Sequence, residues 1–175
     1  NCSDMGIEVL PPSVNKSLKK FSVEDGKIRF GLLGVKNVGE NVIEAILKAR
    51  EEKGEPSDIF TFINNLDISQ VNKRAIESLI KAGACDCFEG NRAAKLAVYE
   101  TLVESAQNTS KKNLEGQISL FQMASDAMSS AGTGKRLPDV QAFPLNIELA
   151  MEKEMLGVYL TGHPLDAYKE KMERI

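Results

Sequence analysis

The sequence predicts a mainly α fold: a bundle built on a duplicated helical hairpin, with a small N-terminal β-hairpin and a mobile linker. Three observations predict it. Aromatics make up 6% of the 175 residues and tryptophan is absent, so a core must come from Leu, Ile, Val and Ala, which favours helices. The apolar helical face of VGENVIEAILKA, starting at Val38, returns 33 residues later in VNKRAIESLIKA, starting at Val71. Residues 107–138 are crowded with Ser, Thr, Gly, Lys and Asn, a composition that cannot bury enough apolar surface to offset chain ordering.

The elements follow in order. Leu10-Pro11-Pro12 reads as an extended or turn segment, because proline restricts the residue before it. Phe21-Ser22-Val23 and Lys27-Ile28-Arg29-Phe30 flank Glu24-Asp25-Gly26, alternating residues around an Asp-Gly turn, and predict a β-hairpin. A short helix is expected over 30–35. A longer one then buries Val42, Ile43, Ile46 and Leu47 and stops near Lys53-Gly54. Ser57 is the expected cap of a short helix carrying Ile59, Phe60 and Ile63. The next helix carries Val71, Ile76, Leu79 and Ile80 and ends at Gly83, the residue suited to a left-handed cap. Asn91 is placed to cap another, with Leu96, Tyr99, Leu102 and Val103 buried. An apolar island, 118–123, interrupts the linker. A final helix carries Leu145, Leu149, Met151, Met155 and Leu156 as candidates for burial, before Gly162-His163-Pro164-Leu165.

Composition narrows the function. No run approaches the roughly 20 apolar residues of a membrane span, and no signal segment opens the chain, which reads as a cytosolic fragment of a longer protein. Cys2, Cys85 and Cys87 make neither a disulfide framework nor a zinc site, and the lone His163 has no partner for metal or general-base chemistry. Net charge is −3, low for a protein that holds DNA through Lys and Arg alone. The average hides an asymmetry. Between positions 9 and 36, Lys16, Lys19, Lys20, Lys27, Arg29 and Lys36 face only Glu24 and Asp25, whereas 139–175 holds seven acidic and four basic residues.

The first copy of the repeat carries the sharper motif. Val35-Lys36-Asn37-Val38-Gly39 links the short helix to the long one as apolar, x, turn residue, apolar, Gly. This resembles the helix-hairpin-helix family, whose turn usually has Gly where Asn37 stands; Asn also tolerates positive φ. In such a hairpin Val38 plugs inward, and Gly39, lacking Cβ, lets a DNA backbone approach. The amides of Gly39, Glu40 and Asn41 begin a helix without intrahelical acceptors, so they are free for a phosphate oxygen, aided by the helix dipole. Lys36 adds a charge-assisted contact. Such contacts read the backbone and are independent of sequence. In the second copy Asn72 stands where Gly39 stands, and Lys73 and Arg74 replace Glu40 and Asn41. That copy is expected to be partly structural, with contacts through the two basic side chains. The plainer reading is that both hairpins only pack helices together.

In the linker, Gln117-Ile118-Ser119-Leu120-Phe121 resembles the pentapeptide by which bacterial replication proteins bind the sliding clamp. Leu120 and Phe121 would fill an apolar pocket as anchors. Gln117 would bond at its rim and Ser119 would fix the extended backbone. The plainer reading is that this segment folds back on the nearest helix.

Longer stretches point the same way. Met5-Gly6-Ile7-Glu8-Val9-Leu10-Pro11-Pro12-Ser13-Val14-Asn15, Ile28-Arg29-Phe30-Gly31-Leu32, Val71-Asn72-Lys73-Arg74, Leu79-Ile80-Lys81-Ala82-Gly83-Ala84 and the run from Glu152 through Leu165 are similar to the C-family of bacterial replicative polymerase alpha subunits. The resemblance implies a template-directed DNA polymerase that uses deoxynucleoside triphosphates and Mg²⁺, with its catalytic aspartates upstream of Asn1. No matching acidic cluster stands here, so no catalytic residue, metal ligand or cofactor is expected in this stretch. It implies the end of the fingers region with the β-hairpin over 1–30 and a tandem helix-hairpin-helix domain over 31–106. A flexible linker with the clamp peptide (117–121) follows over 107–143, and a helical segment before an OB-fold over 144–175. The implied partners are primer-template duplex, the sliding clamp and other replicase subunits, in the cytoplasm and without a membrane. Two other readings remain: a stand-alone tandem helix-hairpin-helix protein of DNA uptake or repair, and a helical interaction scaffold.

Overall fold

The computed structural model describes residues 6–114 and 137–160. Three short strands open it: β1 (Val9–Leu10), β2 (Ser22–Glu24) and β3 (Lys27–Arg29). The order is β1-β3-β2, with β1 parallel to β3 and β2 antiparallel to it, Val23 opposite Ile28. The expected hairpin is present. Asp25 and Gly26 both have positive φ (51° and 77°), the two left-handed residues that a tight hairpin turn requires. Arg29 fastens it by donating to both carboxylate oxygens of Glu24 and to the Pro11 carbonyl. The segment read as extended before the prolines is the strand β1, whose partner is distant in sequence.

The helices are α1 (Glu40–Lys53), α2 (Ile59–Asn65), α3 (Lys73–Lys81), α4 (Arg92–Leu114) and α5 (Leu145–Leu156). The short helix expected over 30–35 is a single 3-10 turn, Leu32–Gly34. Helix α1 stops at Gly54 as expected. The cap of α2 is Asp58 rather than Ser57: the Thr61 amide donates to Asp58 Oδ1 at 2.7 Å, while the Ser57 hydroxyl turns to Asp58 itself. Asn91 caps α4, accepting from the Ala94 amide at 2.8 Å. That helix continues to Leu114, past residue 106, through polar residues that suggested linker; Thr109 Oγ1 bonds back to the Ser105 carbonyl at 2.9 Å.

Helix α3 ends as its sequence predicts. Gly83 has φ 83°, its amide donates to Ile80 O at 3.1 Å, and the Ala84 amide donates to Leu79 O at 2.9 Å. These are the two bonds of a Schellman end, and only a residue free of the Cβ penalty enters it cheaply.

One core joins these elements. Ile43 and Ile46 of α1, Ile59 and Ile63 of α2, Ile76, Leu79 and Ile80 of α3, and Val103 of α4 are essentially fully buried. Val14 and Phe30 from the N-terminal part and Met155 and Leu156 from α5 share that core with the stretch 31–106. On α5, Leu149, Met151, Met155 and Leu156 are buried as expected, but Leu145 is 62% exposed at the helix start. Among the described cysteines, Cys85 is buried and Cys87 exposed, both as free thiols; burial pushes the Cys85 thiol far up from its ordinary range.

Candidate nucleic-acid interface

The first hairpin is a four-residue turn from Val35 to Val38, closed by the Val38 amide on the Val35 carbonyl at 3.3 Å. Asn37, third in the turn, has φ 64°, the left-handed conformation anticipated for it. Val38 is 6% exposed, so its side chain anchors the turn in the core and is out of reach of any ligand. Lys36, Asn37, Gly39, Glu40 and Asn41 are all exposed.

Gly39 is the N-cap of α1, at φ −82° and ψ 168°, and no side chain caps the helix. A Cβ built there meets nothing within 4 Å. The first bond closing the helix start runs from the Ile43 amide to Gly39 O at 3.2 Å. Among the described residues, the amides of Gly39, Glu40 and Asn41 find no acceptor. Three donors therefore stand exposed at the positive end of a 14-residue helix, the arrangement that takes an anion. Glu40 sits beside them with its carboxylate paired to Lys19 at 2.9 Å.

The second hairpin repeats the turn with different chemistry. The Val71 amide closes on Ile68 O at 3.4 Å, the counterpart of Val38 on Val35. No left-handed residue occurs; instead Asp67 Oδ1 accepts from the Ser69 amide and hydroxyl, and these bonds hold its carboxyl below the usual range. Asn72 takes the place of Gly39 as N-cap, and its Oδ1 accepts from the Ala75 amide at 2.7 Å. One helix-start amide is thus satisfied from within, leaving those of Lys73 and Arg74 without an acceptor among the described residues. The Lys73 ammonium is hydrogen-bonded to Glu104 of α4, which raises its pKa, whereas Arg74 is exposed with no ion pair among the described residues. Asn72→Ala is expected to destabilise the chain by about 1 kcal/mol and Asn72→Gly by only a few tenths; urea unfolding of the two variants checks the difference.

The basic front end is largely neutralised. Lys16 pairs with Glu55, Lys19 with Glu40, Lys27 with Glu8 and Arg29 with Glu24, leaving Lys20 and Lys36 as its cations without an ion pair among the described residues. The structure links the two copies through Asn37 Nδ2, which donates to Ser78 Oγ on α3 at 3.2 Å. The clamp-type residues Gln117, Ser119, Leu120 and Phe121 lie outside the described residues.

A charged cluster escaped the sequence reading. Lys95 is fully buried and donates to the carbonyls of Cys85 at 2.8 Å and Phe88 at 3.0 Å; its burial lowers its pKa. Arg92, 4% exposed, bridges Asp86 and the fully buried Glu152 of α5. The available signal was position: Lys95 and Arg92 stand on the same stripe of α4 as the buried Tyr99. Among the described residues, no group of three His, Cys, Asp or Glu could hold a metal ion. No described helix is long and apolar enough to cross a membrane.

The helix-hairpin-helix motif family matches residues 6–95. DNA polymerase III subunit alpha of Vibrio cholerae is 40% identical over 174 residues, 99% of this chain and 15% of the relative. The subunit of Mycobacterium leprae is 40% identical over 166 residues (95% and 14%), and that of Thermus aquaticus 43% over 167 (94% and 13%). The chain thus spans about 15% of the length of the curated relatives it matches. With two hairpins closed by equivalent backbone bonds at the repeat spacing and a family match over half its length, the chain belongs to the helix-hairpin-helix family and is the counterpart of one stretch of the DNA polymerase III alpha subunit.

Proposed function

We propose that this chain is a non-catalytic part of a replicative, cytoplasmic DNA polymerase, and that it binds the sugar-phosphate backbone of duplex DNA without regard to sequence. One observation carries the reading: Gly39 opens into empty space with three amides that no group of the described chain accepts. Lys36 beside the first hairpin and Arg74 at the second supply charge that no carboxylate in the described residues has claimed. Binding through main-chain donors also suits a chain whose net charge is −3. The Mg²⁺ and nucleotide chemistry of a polymerase belongs, in this reading, to the part of the relatives' length that this chain does not span.

Fluorescence anisotropy with duplex oligonucleotides over a salt series tests it. The affinity is expected to be equal for unrelated sequences and to fall with salt. In Lys36→Ala/Arg74→Ala the salt slope should shrink by about 0.9 for each phosphate that the variant no longer neutralises. Absence of binding at low salt, or a slope unchanged by the double substitution, overturns the reading.

The same proposal gives residues 117–121 the role of tether to the sliding clamp, through Leu120 and Phe121 as apolar anchors with Gln117 and Ser119 supporting them. What supports it is the pentapeptide pattern and its place after a DNA-binding module. Holding a polymerase on a ring around DNA raises its effective concentration at the primer end and lengthens synthesis. Titration of the clamp with this chain is expected to show binding that Leu120→Ala/Phe121→Ala abolishes; equal binding by both defeats the tether.

A further inference from the structure

The first hairpin is held from outside its own repeat. The Lys36 amide donates to the carbonyl of Met155, on α5, at 2.8 Å. Lys36 directly precedes the left-handed Asn37, the corner of the turn. Asn37 is in turn tied to α3 through Ser78, and α3 packs on α5. The helix following the turn has no side-chain cap of its own. The geometry of the three free amides therefore depends on where α5 sits.

Helix α5 is fixed by a charge rather than by apolar contact alone. Glu152, fully buried, accepts from Arg92 Nη2 at 3.0 Å and from the Leu160 amide at 3.4 Å. Three residues on, Met155 is 5% exposed in the shared core while its carbonyl faces the turn. Gly157 then ends the helix at φ 78°. A path of direct contacts runs from the start of α4, through Glu152 and one turn of α5, to the hairpin that offers donors to DNA. A buried ion pair is weak evidence for stability as such. Here it seats the helix whose Met155 carbonyl holds the Lys36 amide of the turn.

We propose that α5 is a positioning strut for the first hairpin, and that Glu152 tunes DNA affinity without touching DNA. The inference rests on the DNA-binding reading above. Hydrogen exchange of the full chain tests the strut first, with no substitution. The Lys36 amide is expected to exchange through the same opening as the α5 amides, with the same denaturant dependence. Exchange at Lys36 that is independent of α5 overturns the proposal. Binding tests its consequence. Glu152→Gln keeps the shape and removes the charge; Ile63→Val, in the α2 core, serves as a control of comparable stability loss. Glu152→Gln should speed exchange at Lys36 and weaken duplex binding roughly fivefold or more, the low end of couplings between sites. Ile63→Val should change neither. If Glu152→Gln binds duplex as tightly as the unmodified chain, the strut is wrong while the DNA reading stands. If the unmodified chain binds no duplex, both fall. Should Glu152→Gln not fold, the exchange pattern of the unmodified chain decides.

Discussion

Arg92→Ala is expected to destabilise the fold by about 3–5 kcal/mol, the typical consequence of removing one partner from a buried ion pair. Arg92 is the hub: its guanidinium meets Asp86 at 2.6 Å and Glu152 at 3.0 Å. The side chain of Glu152 is 1% exposed, so the loss of Arg92 takes a counter-ion from a buried carboxylate, whereas Asp86, at 46%, recovers water. Glu152→Gln is the milder change. The amide can still accept from Arg92, which keeps Asp86 as counter-ion, and the cost should be about 1 kcal/mol. Total stabilities of domains are about 5–15 kcal/mol, so the arginine variant sits near the edge of folding. At roughly 2–4 °C per kcal/mol for a chain of this size, its Tm should fall by about 6–20 °C. Thermal and urea unfolding of both variants check the order. Equal losses would mean that Arg92 is not the hub of the network.

What the sequence disclosed and what it hid divide along a physical line. Features set within a few residues were legible. Asp25-Gly26 dictates the hairpin turn, Gly83 the end of α3, and Asn37 the left-handed corner, because each depends on what one backbone can adopt. The repeat was legible because the helical face it duplicates is a local pattern. Features set by distant partners were not. The two residues of β1 form a strand only because β3 lies alongside. Lys95, read along the chain, is one more surface lysine of a helix; the Cys85 and Phe88 carbonyls that make its burial tolerable belong to the preceding loop. The cap of α2 was a contest between neighbours. Asp58 prevails because Oδ1 reaches the amide three residues ahead, and Ser57 stands one residue too early. In the candidate site the same division holds. The open Gly39 and its free amides follow from local spacing, but the engagement of Lys73 by Glu104 and of Lys36 N–H by α5 required the tertiary structure.

The largest functional effect is expected at Gly39, where folding and binding should separate. The backbone there is ordinary (φ −82°, ψ 168°), a conformation open to any residue. A Cβ would meet no atom within 4 Å. Nothing in the described chain therefore requires glycine at this position, in contrast to Gly83, whose φ of 83° and close neighbour Arg92 leave little freedom. Gly39→Val should cost no more than about 1 kcal/mol of stability, the difference between glycine and an apolar residue at an N-cap. Its branched side chain would stand beside the amides of residues 39–41, in the space a phosphate must enter. A backbone held off these donors forgoes charge-assisted hydrogen bonds of about 1.5–3 kcal/mol each, so the absence of even one weakens duplex binding by roughly tenfold or more. Gly39→Ala, with a single methyl group, should fall between the two. Anisotropy titrations at fixed low salt, paired with urea unfolding of the same samples, measure both quantities. A valine variant that unfolds early would show that glycine serves the fold. One that is stable and binds duplex as well as the unmodified chain would remove the first hairpin from the interface and leave the second, through Arg74, to account for any affinity that remains.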